Sequence, residues 1–494
     1  MVNPGLHREV IKILLGSFKN VSLSAIVGLD LGDEIELIYS IRADGALLHI
    51  ETSVPKSDPK IESICDLIPG ADFHEREVFD LLGVDFLGHP SLKRLILPED
   101  WPEKLFPLRK DADLTSVKNM PVSPASLNNE IKTNERSIKI LLGPQHPAMI
   151  EPERFVLTVD GETVVDVKPR IGYVHRGIEK AAEGRTYLQN IYLVERVCGI
   201  CNACHTTCFC QAVEALLGVS VPKKALYLRT IILELNRIHS HMLLLGHAGL
   251  LIGYETLFHY LWRDRESIME LMEILTGNRV ITSFITIGGV RRDIKEDVIR
   301  EMKNKLRSLT ERVAFYRAIL EDDPTFKART RNIGFLGREE AVRFCVVGPV
   351  ARASGVKMDV RKDEPYAAYD EIPFKVIVRS EGDSWARFMV RLDEVDESIN
   401  IISYALDNLP SGAYRVRVPR IVPAGEAISR VEAPRGELFY YVKSNGSSYP
   451  ERVKIRTPTF ANILSFIHLT RGCNIADIPV IFSSLDPCFS CTDR

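Results

Sequence analysis

The sequence predicts an α+β chain, in which a small N-terminal α+β domain is followed by a larger, mainly helical domain with peripheral β-strands. Residues 20–55 alternate apolar and polar side chains as β-strands do, with turns at Gly32–Asp33 and Asp44–Gly45. Long segments with apolar residues at helical spacing dominate the rest of the chain. A polar, proline-containing stretch separates the two regions.

That polar stretch places the predicted domain boundary. Residues 113–136 contain two prolines and few large apolar side chains, which is typical of a linker or a surface strap. We therefore predict an α+β domain at residues 1–112, a linker at 113–136 and a second domain at 137–494. Neither an internal repeat nor a low-complexity segment is visible in the sequence.

The second domain is expected to begin its helical part with a cysteine-bearing helix from Val197 to Leu217. Pro222 stands where the next helix can begin, because proline fits the first turn of a helix. Apolar residues then recur at helical spacing through Leu251. These features predict two consecutive helices around the cysteine cluster.

Other segments of this domain have clear patterns too. Further helices are expected at about 254–277 and 294–320. The segments 370–380 and 412–456 have the pattern of short strands with many turns. We interpret the charged run at 379–398 as a solvated helix.

Composition limits the classes of protein to which the chain can belong. It has 494 residues, of which 45% are hydrophobic and 26% charged, as in ordinary multidomain globular proteins. The net charge of −3 gives no electrostatic reason to expect nucleic acid as a partner. The N-terminus lacks the pattern of a signal peptide, and no apolar run is long enough to cross a bilayer. We expect a cytoplasmic chain, and a membrane-bound protein partner remains compatible with this composition.

The ten cysteines are distributed unevenly. In a reducing cytoplasm, clustered cysteines favour metal binding over disulfides. Isolated cysteines are more often small buried apolar residues. The chain has five cysteines from Cys198 to Cys210, a pair at Cys488 and Cys491, and the isolated Cys65, Cys345 and Cys473.

Two C-x-x-C pairs form the most informative pattern. Cys198-Gly-Ile-Cys201 stands at a predicted helix start, and Cys488-Phe-Ser-Cys491 lies three residues before the last residue. Residues three apart on a helix share one face, so each pair can present two thiolates to one metal site. Together the pairs offer four sulfur ligands.

Three kinds of site are compatible with these cysteines. One is a structural Cys₄ zinc site, although a chain of this size does not need a zinc staple. Another is an iron–sulfur cluster with ferredoxin-type spacing, on Cys198, Cys201, Cys204 and Cys208. It would lack the usual following proline and leave the C-terminal pair unused. The third is a bimetallic site, because thiolates bind nickel, iron or zinc and can bridge two metals.

The segments around both pairs resemble a known family. Arg196-Val-Cys-Gly-Ile-Cys-Asn-Ala-Cys-His205 resembles the R-x-C-G-x-C-x-x-x-H motif of [NiFe]-hydrogenase large subunits. Asp486-Pro-Cys-Phe-Ser-Cys-Thr-Asp-Arg494 resembles their D-P-C-x-x-C-x-x-H/R terminus. The paired resemblance favours the bimetallic alternative.

Other segments resemble respiratory complex I. GPQHPAMIEPE, RIGYVHRGIEK, ARASGVKMDVRKDEPYAAYD and RTPTFANIL resemble its large quinone-site subunit of 49 kilodaltons, and ADFHEREVFDLLG with LPEDWP resembles its 30-kilodalton subunit. A complex I subunit would be expected to lack the cysteine pairs, and this chain keeps both. The combination resembles group 4, the membrane-bound, energy-converting [NiFe]-hydrogenases. Fusion of the two subunits in one chain is similar to the formate hydrogenlyase type.

This resemblance implies reversible conversion of 2H⁺ + 2e⁻ to H₂ at a nickel–iron centre. Cys198 and Cys488 would bind nickel alone, whereas Cys201 and Cys491 would bridge nickel and iron. The iron would also carry carbon monoxide and cyanide ligands. Glu151 would accept the first proton, for which catalysis requires a nearby base of matched pKa; Glu153 is the alternative.

Further residues are matched by the family motifs. Arg435, in Glu-Ala-Pro-Arg-Gly-Glu-Leu, would hang over the centre, where a guanidinium offers a permanent fork of donors, and Asp486 would be its neighbour. His205 would support the ligands without binding metal. Glu179 would lie at a magnesium site near the C-terminus, although Arg494 stands where most hydrogenases have a histidine.

The resemblance also implies partners and a location. A separate small subunit, similar to the 20-kilodalton subunit of complex I, would carry a [4Fe–4S] cluster, and further iron–sulfur subunits and antiporter-like membrane subunits would join it. Electrons would come from formate dehydrogenase, carbon monoxide dehydrogenase or ferredoxin. The chain would be peripheral, on the cytoplasmic side of the cell membrane. Two alternatives are a nickel-free subunit of a complex I-type NADH:quinone oxidoreductase and an assembly scaffold with a Cys₄ zinc site.

Overall fold

The computed structural model of the protein describes residues 3–119 and 137–494. It confirms the α+β class, with a small sheet domain followed by a mainly helical part with peripheral strands. Most of the predicted linker at 113–136 lies outside the described residues; of it, Leu114–Asn119 form a short 3₁₀ helix. In the described part of the chain, no helix is both long and apolar enough to span a bilayer.

The N-terminal part contains an antiparallel sheet and a strand–helix–strand unit. Its elements in chain order are α1 (His7–Ser17), β1 (Val21–Asp30), β2 (Glu34–Ala43), β3 (Ala46–Pro55), β4 (Lys60–Glu62), α2 (Asp72–Leu82) and β5 (Asp85–Leu87). The sheet has the order β1–β2–β3, and α2 connects the parallel strands β4 and β5. This arrangement agrees with the alternation seen at residues 20–55.

The strands of the second part form two three-stranded antiparallel sheets and one small hairpin. The first sheet contains β6 (Ile138–Leu142), β7 (Arg154–Asp160) and β8 (Thr163–Arg170), and the hairpin contains β9 (Ile285–Thr286) and β10 (Gly289–Val290). The second sheet contains β11 (Gly425–Ala433), β12 (Gly436–Ser444) and β13 (Pro450–Arg456). The strands predicted within 412–456 are therefore confirmed.

The second part also contains the helices at whose N-terminal ends the two cysteine pairs lie. Its helices are α3 (Ile178–Glu183), α4 (Tyr187–Glu195), α5 (Asn202–Leu217), α6 (Lys223–Ile252), α7 (Glu255–Thr276), α8 (Glu296–Asp322), α9 (Pro324–Thr330), α10 (Arg338–Arg343), α11 (Gly348–Ala353), α12 (Val360–Asp363), α13 (Ser384–Asp407), α14 (Pro458–Thr470), α15 (Ile478–Leu485) and α16 (Phe489–Asp493). Pro222 is the residue that caps the start of α6, as predicted. Helices α7 and α8 confirm the two expected near 254–277 and 294–320.

The N-terminal sheet packs directly on the second part. Strand β1 is buried along its whole length because both of its faces are covered. Val27 and Leu29 belong to an apolar cluster that includes Phe439 and Tyr441 of β12, and on the other face a Cβ atom at Gly28 would clash with α2. A larger apolar cluster contains side chains from both parts of the chain. The two parts therefore share a hydrophobic core.

Four phenylalanines of this shared core support the C-terminal helix α16. Phe155 lies 5.1 Å from Phe466 and 5.5 Å from Phe482, measured between ring centroids. Phe489, in α16, stacks on Phe482 at 6.0 Å. All four rings are buried, so the position of α16 depends on close packing.

One predicted helix begins later than the sequence pattern indicates. Helix α5 starts at Asn202, so the loop before it contains Cys198, and Cys201 caps the helix. The side-chain amide of Asn202 donates to the carbonyls of Gly199, at 2.9 Å, and Val280, at 2.7 Å. These bonds hold the loop in a turn, so the first pair does not share a helix face as expected.

Two other local predictions are wrong. Residues 370–380 form no strand, and the run at 379–398 is not a solvated helix, because α13 buries both of its arginines and Glu394. Arg387 and Arg391 are both 0% exposed. Arg387 donates to the Gly334 carbonyl at 2.7 Å. Such a partner comes from another element, and local sequence does not reveal it.

The aromatic cluster generates a prediction about stability. Phe482→Ala should lower the free energy of unfolding by about 3–5 kcal/mol, because it leaves a cavity in a close-packed site. Phe335→Ala, which removes a phenyl ring at a site that is 61% exposed, should change the free energy of unfolding by less than about 0.5 kcal/mol. Urea unfolding followed by circular dichroism measures both; equal effects would contradict the packing argument.

Candidate metal centre

Four thiols from the two C-x-x-C pairs converge inside the protein. The Sγ atoms of Cys198 and Cys488 are 3.3 Å apart, and those of Cys201 and Cys491 are 3.4 Å apart, although 290 positions separate the partners in each case. All four residues are 1–4% exposed. These distances are far longer than a disulfide bond, so the structure brings together four free thiols.

Helix ends and turns place these cysteines. Helix α15 ends at Leu485, and its C-cap Asp486 has a φ of 56°, in the left-handed region, which turns the chain. Cys488 caps α16, and its backbone N–H donates to the Thr459 hydroxyl at 3.1 Å. The Ile200 N–H donates to the Cys198 sulfur at 3.3 Å. Both pairs therefore enter the site from the N-terminal end of a helix, where N–H groups favour negative charge.

The thiols influence one another's protonation. Hydrogen bonds from the neighbouring thiols lower the pKa of Cys198 well below its ordinary value. Burial, and then its cysteine neighbours, raise the pKa of Cys491 well above it. Four thiolates cannot accumulate in a buried site without a strong positive charge among them. The donor set fits a metal that prefers soft sulfur ligands, such as nickel, iron or zinc.

Arg435 and Asp486 form a fixed ion pair beside the thiols. The Arg435 Nε donates to the Asp486 carbonyl at 2.8 Å, and Nη2 donates to its carboxylate at 2.7 Å. Burial lowers the pKa of Arg435, but Asp486 and the adjacent cysteines raise it by more, so it stays above the ordinary value. A permanent guanidinium therefore lies within the field of the thiol cluster.

Glu151 contacts the segment between Cys488 and Cys491. Its carboxylate accepts the Ser490 backbone N–H at 2.8 Å and also the Ser490 hydroxyl. The side chain is half-buried and lines a surface cavity formed by residues 144–152. Glu151 thus joins the thiol-bearing helix to a surface open to solvent.

Glu153, the alternative, lies in a different environment. Its side chain is 0% exposed. Burial, with Asp493 nearby, raises its pKa to about 11, so Glu153 carries its proton at neutral pH. A carboxyl group that is already protonated is poorly suited to accept a proton, and Glu151 is the better candidate.

His205 connects the site to a residue that the sequence did not single out. Its Nε2 lies 3.5 Å from the Cys491 sulfur, and its Nδ1 lies 2.7 Å from the Tyr440 hydroxyl. Burial lowers the pKa of His205 to about 4, so the ring is neutral at pH 7. Two adjacent tyrosines within a strand carry no sequence signal that would identify Tyr440 as a neighbour of the site.

Glu179 does not fit the expected magnesium site. Its carboxylate accepts from Arg452 at 2.8 Å, and the Lys454 Nζ and Arg494 Nε each lie 3.5 Å away. The same carboxylate also accepts from the Ile455 N–H at 3.0 Å. Among the described residues, Glu77 is the only other carboxylate paired with these three cations, so an added divalent ion would be repelled. The contacts therefore argue against Glu179 as a magnesium ligand.

The ferredoxin-type alternative is not supported by the arrangement of the cysteines. Within residues 3–119 and 137–494, the groups of three or more potential metal ligands include neither Cys204 nor Cys208. The Cys208 thiol instead donates to the Ser429 carbonyl at 3.2 Å. Both residues lie in α5, and neither belongs to the group of converging sulfurs.

A second group of potential ligands lies in the N-terminal part and contains Cys65, Glu75 and His89. Glu75 accepts from the Ser63 hydroxyl at 2.5 Å and from the Ile64 N–H at 2.7 Å. The Cys65 thiol donates to the same carboxylate at 3.3 Å. These bonds give the Glu75 carboxylate local partners, which is the pattern of a structural turn.

Family models match consecutive parts of the chain. Residues 1–118 match the family "Respiratory-chain NADH dehydrogenase, 30 Kd subunit". Residues 252–423 and 419–494 match "Respiratory-chain NADH dehydrogenase, 49 Kd subunit". Between them, residues 176–249, which include Cys198 and Cys201, match the nickel-dependent hydrogenases.

Some relatives are named as NADH-quinone oxidoreductase subunits and others as hydrogenase subunits. The NADH-quinone oxidoreductase C/D protein of Phocaeicola vulgatus is 35% identical, with 97% of this chain and 96% of that protein aligned. Formate hydrogenlyase subunit 5 of Escherichia coli is 37% identical over 90% of this chain and 79% of its own length. Membrane-bound hydrogenase subunit alpha of Pyrococcus furiosus is 40% identical over 74% of this chain and 89% of its own.

A solved structure is similar as well. A chain of the membrane-bound sulfane sulfur reductase, an archaeal respiratory membrane complex, superimposes with a TM-score of 0.71 and 34% identity. The match covers 74% of this chain and 100% of that one. The chain therefore belongs to the complex I-type family of oxidoreductase subunits, in the form that fuses 30-kilodalton-like and 49-kilodalton-like parts.

Proposed function

We propose that this chain is the catalytic subunit of a membrane-bound [NiFe]-hydrogenase that interconverts 2H⁺ + 2e⁻ and H₂. The observation that carries the proposal is the convergence of four buried thiols from two distant C-x-x-C pairs. The hydrogenase match at residues 176–249 and the relatives named as hydrogenase subunits support it.

The cysteines would hold the nickel–iron centre with distinct roles. Cys198 and Cys488 would bind nickel, and Cys201 and Cys491 would bridge nickel and iron. The short distances between the sulfurs of Cys198 and Cys488 and between those of Cys201 and Cys491 support this division. When bound, such a centre supplies redox and Lewis-acid chemistry for the heterolytic splitting of H₂. The carbon monoxide and cyanide ligands of the iron would come from outside the chain.

Two charged residues would tune the site without binding metal. Asp486 fixes the Arg435 guanidinium through two hydrogen bonds. A cation held in this way offers permanent donors to cyanide and offsets the negative charge of the thiolates. Arg435 therefore orients and stabilises charge, whereas Asp486 positions Arg435.

Glu151 would move the proton. It is tied to Ser490, between the two C-terminal cysteines, and it lines a surface cavity. A carboxylate there can take a proton near the centre and release it to solvent, as a general base does. Ser490 would hold the carboxylate in place by donating to both of its oxygens.

The proposal includes partners. A small subunit with a [4Fe–4S] cluster would exchange electrons with the centre, and further iron–sulfur and antiporter-like membrane subunits would complete the complex. Formate dehydrogenase, or a ferredoxin- or carbon monoxide-linked enzyme, would supply the electrons. We propose a peripheral position on the cytoplasmic side of the membrane, and the proposed chain division is 1–112, 113–136 and 137–494.

A second candidate is a nickel-free subunit of a complex I-type NADH:quinone oxidoreductase. The extensive similarity to the C/D protein of Phocaeicola vulgatus favours it. A Cys₄ zinc scaffold is compatible with the four thiols alone. Metal identity separates all three functions, because only the hydrogenase requires nickel.

The first prediction of this proposed function is that the chain, purified within its native complex, contains about one nickel ion per chain. Cys488→Ser should lose this nickel and hydrogen evolution, because a serine hydroxyl is a weak ligand for a soft metal site. Elemental analysis and a hydrogen assay measure the two. Cys208→Ser is the matched control: it changes a buried cysteine that bonds to Ser429 and should keep both. Zinc without nickel in the wild type would overturn the proposal.

The second prediction concerns the proton acceptor. Glu151→Gln should retain nickel but slow H/D exchange by about 10²–10⁴-fold, the usual contribution of a general base. Glu162→Gln, at an exposed turn, should exchange at the wild-type rate. A Glu151→Gln enzyme with full nickel and full exchange would exclude Glu151 from this role.

The third prediction concerns the His205–Tyr440 pair. A metal-bound Cys491 thiolate accepts a hydrogen bond, so the neutral ring must carry its proton on Nε2 and accept from Tyr440 at Nδ1. Tyr440→Phe removes that donor and weakens the bond to sulfur. The sulfur then donates more electron density, and the infrared carbon monoxide band should move to lower frequency. Tyr441→Phe, which loses only a bond to Glu426, should leave the band unchanged; equal shifts in both variants would contradict the pairing.

A further inference from the structure

Five charged side chains form a buried cluster next to the helix that carries Cys491. All five are between 1% and 5% exposed. The cluster consists of Glu77, Glu179, Arg452, Lys454 and Arg494. Two carboxylates face three cations, so the cluster already has an excess of positive side-chain charge.

Glu77 is the member that comes from the N-terminal part, on helix α2. Its carboxylate forms ion pairs with the Lys454 ammonium, at 2.6 Å, and with the Arg494 guanidinium. Glu179, from the second part, is 3.5 Å from the same ammonium. Lys454 therefore bridges two carboxylates from different parts of the chain, as a divalent cation would.

Arg494 connects this cluster to α16, the helix that contains Cys491. It directly follows α16, which ends at Asp493 and contains Cys491. Its carbonyl accepts the Arg176 N–H at 3.0 Å, and its guanidinium lies over the Phe460 ring at 5.2 Å. The side chain and the backbone of Arg494 are thus both held in place, and Glu77 holds the side chain.

We infer that Glu77 is a positioning residue for the four-thiol site, because through Lys454 and Arg494 it holds in place the helix that contains Cys491. We call this arrangement the clamp. In it, the Lys454 ammonium takes the bridging position that a divalent cation would occupy. The clamp needs the N-terminal part, since α2 supplies Glu77. Without that carboxylate, three buried cations would share Glu179 alone, and burial of unpaired charge is strongly unfavourable. The second part would then lose the fixed position of α16.

The consequence for metal binding rests on the proposed function, whereas the clamp itself does not. Hydrogen exchange detected by mass spectrometry on the full-length chain therefore tests the clamp separately. In Glu77→Gln, the backbone amides of residues 486–494 should exchange at least about tenfold faster than in the wild type. Glu77→Asp, which keeps the charge, should restore most of the protection.

Asp80→Asn is the matched control. Asp80 is a buried carboxylate on the same helix, but its partners, Arg94 and the backbone N–H groups of residues 95–97, all lie in the N-terminal part. This variant should loosen the N-terminal part and leave residues 486–494 protected. Equal exchange at 486–494 in Glu77→Gln and wild type, or equal loss of protection in Asp80→Asn, would overturn the inference.

Two further readouts extend the test. Glu77→Gln should lose nickel to a chelator faster than the wild type, and its infrared iron-ligand bands should broaden, which simple destabilisation elsewhere would not cause. Magnesium chloride or EDTA should leave the unfolding temperature of the wild type unchanged, because Lys454 occupies the bridging position. A higher unfolding temperature in magnesium would indicate a divalent cation site and would contradict the assignment of the bridging position to Lys454. If the wild type lacks nickel, the hydrogen-exchange comparison still shows whether Glu77 holds α16 in place.

Discussion

Gathering four thiols in a site that excludes water is the constraint on which the surrounding structure depends. Each thiolate that forms there is deprived of hydration, and neighbouring thiolates repel one another. The protein places Cys201 and Cys488 at the N-caps of two helices, where N–H groups favour negative charge. It also holds the Arg435 guanidinium beside them. The fold around the centre must keep these helix ends and this cation fixed.

The second part of the chain also contains a buried network of ion pairs. Arg352 is 0% exposed and contacts Glu394 at 2.8 Å and Glu432 at 2.7 Å. Arg361 pairs with Asp359 at 2.7 Å and with Glu234 at 3.1 Å. Buried pairs of this kind need almost ideal geometry, because a misplaced partner leaves a charge unpaired in a low dielectric. The interior of the second part is therefore built from matched charges as well as apolar packing.

The sequence identified the four cysteines that converge, but it did not identify their surroundings. Cys198, Cys201, Cys488 and Cys491 could be identified because their spacing and residue type are specific. The environment of Glu179 could not, because Arg452 and Lys454 come from a strand remote in sequence. Helix, strand and domain class followed from periodicity, whereas the start of α5 depended on Asn202 bonding to Val280 in another segment.

What the sequence by itself determined is the α+β class, the order of its parts and the ligands offered by the two cysteine pairs. These properties are local, since periodicity and short motifs contain them. Only the tertiary structure decided that Tyr440 faces His205, that the arginines of α13 are buried, and that Glu77 of the N-terminal part reaches Arg494. Each of these depends on which distant segments pack together. Packing of distant segments is a property of the whole chain, and no local pattern encodes it.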